Sequence, residues 1–242
     1  MSESSPLNPY SSPSALDTST LDVTGENAST FWYERKAKYD NRTLCTLLCI
    51  LFVLGAVLAV ASVVSSLMQI DLLSQPTISS EAAESNDLRE QMIAIVSLAE
   101  YILTAIVFAF FIIRAHHNVR GFGARGMTIT PGWSFGYFFI PIFNLFRPYI
   151  AMSELYRASH SPERWNSQPV GVLPLWWTLW LVCGFLGQIS MRLQLAADTI
   201  PMIIGATWVS VIEESLSILL CIVALLMISR IQKAQTAWIA GS

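Results

Sequence analysis

Four long apolar runs, each bounded by charged residues, dominate the pattern of hydrophobic and polar positions along this chain. No charge falls between Arg42 and Asp71, and residues 92–113 are apolar apart from Glu100. Residues 165–191 carry no charge, and residues 201–228 hold only Glu213 and Glu214. A helix rising 1.5 Å per residue needs ~20 apolar residues to cross a bilayer, so each run predicts a span. The expected fold class is all-α integral membrane, with spans over about residues 43–68, 92–113, 169–191 and 201–228.

A fifth apolar stretch, residues 129–160, breaks the pattern. Pro141, Asn144, Arg147 and Pro148 interrupt it where a spanning helix would be uniform. Proline removes a backbone donor, and backbone groups freed at membrane depth need partners in protein or in a wet cavity. The stretch is therefore expected to be a broken, re-entrant or interfacial segment. Residues 1–33, rich in Ser, Thr, Pro and Asp, are expected to form a disordered cytoplasmic tail. The membrane domain is then residues 34–236.

Lys and Arg set the orientation. Arg35, Lys36, Lys38 and Arg42 precede the first span. Residues 71–90 carry Asp71, Glu81, Glu84, Asp87 and Glu90 against Arg89 alone. Arg114, Arg120, Arg125, Arg147, Arg157 and Arg164 lie between the second and third spans, and Arg230 and Lys233 follow the fourth. Four spans with both termini inside leave only Arg89 and Arg192 outside. A fifth span over residues 133–152 would put Arg147, Arg157, Arg164, Arg230 and Lys233 outside with Arg89, so four spans are favoured. Trp176, Trp177 and Trp180 then fall at the cytoplasmic end of the third span, where an aromatic belt is expected.

Composition narrows the class further. The chain is 53% hydrophobic and 13% charged, about half the ~25% charge of soluble domains. Its few basic residues adjoin apolar runs, so nucleic acid is not expected as a partner. Cys45, Cys49, Cys183 and Cys221 all lie in apolar runs and read as small buried residues. Asn27 and Asn41 head glycosylation sequons on the wrong side of this topology. No basic region followed by a short apolar core opens the chain, so a cleaved signal peptide is not expected.

Glu100, Glu213 and Glu214 are the sharpest polar candidates, because a charge near the bilayer centre costs ~2.5–3.5 kcal/mol on insertion scales. Arg147 and Asn144 from the broken segment and Arg192 from outside are the groups able to meet them. One reading is an ion- or proton-linked polar pathway; the other is a Glu–Arg or Glu–Ser/Thr pair that fixes helix register. Small and polar stripes mark expected contact faces: Gly55, Ala59, Ser62 and Ser66; Ser97, Glu100 and Thr104; Gly184, Gln188 and Arg192; Ala206, Ser210, Glu214, Ser217 and Cys221. They fit an inward-facing bundle core or a homo-oligomer contact equally well. His116 and His117 are adjacent, share no helix face and make a poor chelate, so no metal is expected. Gly121, Gly123 and Gly126 with Arg120 and Arg125 read as a flexible basic loop, able to hold anionic headgroups or to stay solvated.

Over residues 114–159 the sequence resembles the family defined as the domain of unknown function DUF4328. The pattern runs Arg114-Ala-His-His-Asn118-Val-Arg120, then Gly123 and Gly126, then Thr130-Pro131-Gly132-Trp133. It continues through Gly136, Phe139-Ile-Pro141, Asn144-Leu145, Arg147-Pro148-Tyr149, Ala151-Met152, Glu154 and Ala158-Ser159. Phe111 stands where the family tends to have Trp, and Tyr137-Phe138 where Trp-Trp is frequent, so any role for an indole donor there is lost. The resemblance implies a bacterial multi-pass membrane protein and supplies no activity.

The expected function is that of a non-enzymatic accessory or scaffold subunit in the bacterial inner membrane, with both termini cytoplasmic. A small ion- or proton-linked transporter or channel-like protein using the glutamates is the alternative, and a lipid-modifying enzyme comes third. Membrane lipids, other membrane proteins or a second copy of the chain are the expected partners, with no cofactor and no catalytic residue assigned.

Overall fold

A computed structural model describes residues 39–240; the expected tail over residues 1–33 lies outside the described residues. Helices α1 (Arg42–Leu73) and α2 (Ser80–Gly121) come first. A broken stretch follows: the one-turn helix α3 (Trp133–Gly136), 3₁₀ turns at Tyr137–Phe139 and Phe143–Leu145, and helix α4 (Arg147–His160). After a 3₁₀ turn at Trp165–Ser167 come helices α5 (Leu173–Ala196) and α6 (Ile200–Ala240). Among the described residues, α1, α2, α5 and α6 are long and apolar enough to cross a membrane. The chain is a multi-pass all-α membrane protein.

The helices outrun the apolar runs that predict them. With 42 residues, α2 is about 63 Å long, roughly twice the ~30 Å hydrocarbon thickness. It starts at Ser80 instead of near Met92 because Ser79 caps it, its hydroxyl accepting the Ala82 N–H at 3.2 Å, with Glu81 in the first turn. Arg89 then ties that extension to α1: its Nε donates to Ser65 Oγ at 2.8 Å and its Nη2 to Asn86 Oδ1 at 2.6 Å. Only residues 74–79 of the acidic loop are left to connect the two helices.

Across the bundle the order is α5, α6, α1, α2: α6 packs along both α1 and α5, and α1 packs along α2. The outer pair, α2 and α5, do not pack along each other. The broken stretch bridges them at one end, where α3 lies on α2, and α4 touches α2, α5 and α6. That capped end holds the dense core: Phe111, Ile112, Ala115, Met152, Leu155, Leu173, Met227 and Ile228 are fully buried. Towards the open end, Ile50, Val57, Ile102, Phe185 and Leu219 face outward, as lipid-facing side chains do.

Two expectations change here. Trp176 and Trp177 are buried instead of forming an outward belt, because Phe108 of α2 meets the first and Tyr149 of α4 the second. Trp177 stacks on Trp180 at 4.8 Å, and Trp180 meets Phe138 edge-on at 5.7 Å. The α5 stripe of Gly184, Gln188 and Arg192 does not face the core but is exposed, because α2 does not close against α5. The stripes on α1 and α6 do turn inward at Ala59, Ser62, Ser66 and Ala206. Gly171, at φ +58, leads into α5 where a Cβ would lie 2.5 Å from the Tyr156 hydroxyl, so both backbone and space require glycine.

Candidate functional site

Glu100 of α2 reaches across α1 to α6 about midway along the bundle. A Cβ at Gly55 would sit 3.4 Å from both Glu100 Oε1 and Cys221 Sγ, an ordinary contact distance, so side chains of α2 and α6 meet beside α1 there. Glu100 accepts the Thr104 hydroxyl at 2.6 Å, and Glu213 accepts that of Ser217 at 3.0 Å. Cys221 is within electrostatic reach of Glu100, Glu214 and Cys183, and Cys183 in turn of Glu213 and Ser217. The fold therefore gathers Glu100, Glu213 and Glu214 into one neighbourhood, which no sequence spacing dictates.

No cation joins them. Among the described residues the ion pairs are Arg42–Asp40 at 3.8 Å and Arg89–Glu90 at 3.9 Å, both remote from the three glutamates. Arg192 is exposed at the far end of α5, and Arg147 sits at the cap. The hydrogen bonds of Glu100 and Glu213 run to the next turn of their own helix, so they do not fix one helix against another. Glu214 is half-buried and makes no hydrogen bond or ion pair among the described residues.

The polar stripe on α6 has a definite floor. It begins near the open end, where Ser210 bonds Ser190 of α5 at 2.6 Å and Gln194 donates to both hydroxyls. It descends through Glu213, Glu214 and Ser217 to Cys221. Below that level Ala224, Met227, Ile228, Phe111, Ile112 and Leu48 form a buried apolar layer. On α6 Ser229 meets Cys49 of α1 at 3.7 Å, and Gln232, Gln235 and Asn118 belong to the cap.

Cap residues are knitted by buried hydrogen bonds. Glu154 of α4 accepts the Thr128 N–H at 3.0 and 3.1 Å, the Thr128 hydroxyl at 2.5 Å and the Ile129 N–H at 3.1 Å. Arg120 donates to the Ile129 carbonyl at 2.5 Å, and Trp165 Nε1 to the Arg125 carbonyl at 2.8 Å. Trp165 thus holds the glycine-rich basic loop at Arg125, and Glu154 holds Thr128 and Ile129 just beyond it. The backbone donors of Thr128 and Ile129 face a carboxylate, and a buried backbone donor left without an acceptor is costly. Asn118 donates to Gln235 Oε1 at 3.0 Å and to the Tyr39 carbonyl at 2.8 Å. Gln235 donates on to Ser159 Oγ at 3.0 Å and the Ala115 carbonyl at 3.1 Å. These bonds tie α2, α4 and α6 together with the segment that enters α1.

The remaining motif residues build the turn around the cap. Pro131 and Gly132 open α3, where the Ser134 hydroxyl donates to the Pro131 carbonyl at 2.5 Å. Trp133 lies over Tyr137 at 5.1 Å, and Tyr149 faces Trp177 at 6.4 Å. Pro148 is buried in the first turn of α4, where a missing N–H does no harm. Arg114 is exposed over the Tyr39 ring at 5.7 Å. Pro141 and Asn144 belong to a tight reversal: Phe143 N–H donates to the Pro141 carbonyl at 2.8 Å and Asn144 N–H to that of Ile140 at 2.9 Å. His116 is fully buried beside Arg120 and Ala151, and His117 meets Tyr39 edge-on at 6.1 Å.

Sequence reasoning missed Gln235, Thr128, Ser65 and the Arg89 anchor. Gln235 carried a usable signal, as a polar residue repeating every turn or so with Gln232 on the inner face of an apolar helix. Thr128 carried none, because its role depends on where Glu154 arrives in space.

A family model described as "Domain of unknown function (DUF4328)" matches residues 74–233. Comparison with curated proteins and with solved structures gives no match.

Proposed function

We propose that this chain, which belongs to the DUF4328 family, acts as a non-enzymatic accessory subunit that holds a partner transmembrane segment in the open flank between α2 and α5. The observation that carries this reading is Glu214. It is half-buried about midway along the apolar run of residues 201–228 in α6, beside Glu213, and is met by no cation or hydrogen-bond donor among the described residues. A carboxylate at that depth normally faces a partner. Here the helices that would supply one are held apart. An incoming helix with a basic or hydrogen-bonding side chain at mid-depth would satisfy Glu214 and cover the exposed Gly184, Gln188 and Ile102.

The polar stripe favours assembly over conduction. Below Cys221 the buried apolar layer of Phe111, Ile112, Met227 and Ile228 narrows it to the Cys49–Ser229 pair at 3.7 Å. Glu154, Asn118 and Gln235 of the cap are engaged in hydrogen bonds that hold helices together. In the same reading the capped, basic end faces the cytoplasm of a bacterial inner membrane, following the positive-inside rule.

The experiment is photo-crosslinking in intact membranes, with benzoylphenylalanine at position 102 or 188, beside flux measurements on reconstituted protein. A discrete protein adduct that disappears in Glu214→Leu is the expected result. A proton or cation flux that depends on Glu214, with no adduct at either position, would replace assembly by transport.

A further inference from the structure

The reversal that precedes α4 presents an amphiphilic surface unlike any other at the cap. Phe139 is 72% exposed, Ile142 74%, Leu145 47% and Phe146 44%, all within eight residues. Buried core of the cap lies directly behind them, so these side chains turn outward because the backbone sends them there. Ile142 makes the point most sharply. Its φ of +70° with ψ of −55° is the strained γ-turn conformation, rare for any residue but glycine and worse for a β-branched one. Such a conformation costs on the order of 1–3 kcal/mol, and it carries the isoleucine to the tip of the turn.

Arg147 adjoins this apolar tip. Its guanidinium carbon stands 5.5 Å from the Tyr137 ring centroid and 5.9 Å from that of Phe143. The two rings fix the cation in place but accept none of its N–H groups in plane. Its Nε is buried without a hydrogen-bond partner, and among the described residues no carboxylate pairs with it. The residue before it, Phe146, offers no capping side chain to the first turn of α4. A half-buried arginine with an unpartnered Nε therefore stands beside four large exposed apolar side chains.

We propose that residues 139–147 form a phospholipid-binding site, with the lipid phosphate on Arg147 and the acyl chains against Phe139, Ile142, Leu145 and Phe146. A free phosphate would satisfy Arg147 and leave the apolar tip in water. An apolar protein partner would cover the tip and leave the guanidinium unpaired. A phospholipid satisfies both, because its anionic and apolar parts are joined at the spacing of a headgroup and its chains. The segment then enters one leaflet and returns from it, with Arg147 at headgroup level. This site is independent of the flank between α2 and α5.

The test uses the full chain in vesicles of phosphatidylglycerol and phosphatidylcholine, the phosphatidylglycerol carrying a photoreactive acyl chain. Adducts mapped by mass spectrometry are expected on residues 139–146. Adducts confined to α1, α2, α5 and α6 would overturn the proposal, and this measurement needs no variant. Phospholipid retained after detergent purification is the second readout. Arg147→Gln should lower it at least fivefold, and Arg147→Lys should keep part of it. Ile142→Gly removes the backbone strain together with the side chain, so it should melt no lower than the wild type and still lose adducts. Adducts at wild-type level in Ile142→Gly and lipid retention unchanged in Arg147→Gln would sink the site. Inorganic phosphate displacing the retained lipid at millimolar concentration would assign Arg147 to free phosphate and overturn the lipid assignment.

Discussion

Two carboxylates on inner helix faces show how differently the ends of this molecule treat polar groups. Glu154 at the cap is buried and receives hydrogen bonds from Thr128 and Ile129, so every direction around it is filled by its own chain. Glu214, about a third of the way along α6, is half-buried and receives none among the described residues. The first is a completed structural joint. The second is a group whose partner the fold leaves outside. Packing follows the same division, with Phe111, Met152 and Ile228 sealed at the cap, and α2 and α5 standing apart beyond it. A polar residue in a membrane is thus a poor guide to function until its hydrogen bonds are traced.

The contrast can be broken by substitution, and the largest effect is expected at Glu154. Glu154→Leu leaves the Thr128 and Ile129 N–H groups buried and unpaired, and should cost about 3 kcal/mol or more. Thermal melting in mild detergent reads this directly. Glu154→Gln, which keeps one acceptor, should lose about half as much. A melting point unchanged in Glu154→Leu would mean the loop is not held by this clamp.

Gly171→Ala ranks next. The new Cβ would lie 2.5 Å from the Tyr156 hydroxyl at a φ of +58°, so a loss of roughly 1–3 kcal/mol is expected. Tyr156→Phe should rescue Gly171→Ala only in part, since the ring carbons Cζ and Cε1 would still lie 2.7 and 3.0 Å from the new Cβ.

Gln235→Leu should cost about 1–3 kcal/mol, because it strands Asn118 and Ser159 in the cap. Hydrogen exchange should show the loss spreading into α2 and α4 together, and not into α6 alone.

The smallest effect on stability is expected at Glu214. Glu214→Leu replaces an unpaired carboxylate by an apolar group and should leave melting unchanged or raise it, while abolishing the crosslinked adduct of the open flank. Destabilisation by as much as Glu154→Leu would show that Glu214 has an internal partner, and the distinction between the two ends would collapse.

The elements themselves were readable without a structure, because crossing hydrocarbon imposes a length and an apolarity that any charge violates. The uncharged run after Arg42 could be little else than α1, and the same holds for α6. The prolines and Arg147 likewise marked the broken stretch, since each is incompatible with a continuous span. The contacts around the RGFGARG loop were not legible for a physical reason. Trp165 meets it at Arg125 and Glu154 meets Thr128 and Ile129 just beyond it, both from far away in sequence, and composition carries no record of such partners.

The sequence by itself determined that the chain is a multi-pass helical membrane protein, with a broken segment between the second and third long helices and acidic residues at depth. The tertiary structure alone decided that α2 and α5 stay apart, that Trp176 and Trp177 are covered, and that Arg147 meets two aromatic rings while Glu214 meets no cation. Hydropathy is additive along a chain and can be summed residue by residue. Pairing is not additive: it depends on which faces meet, and on steric facts such as the close approach of Tyr156 to Gly171.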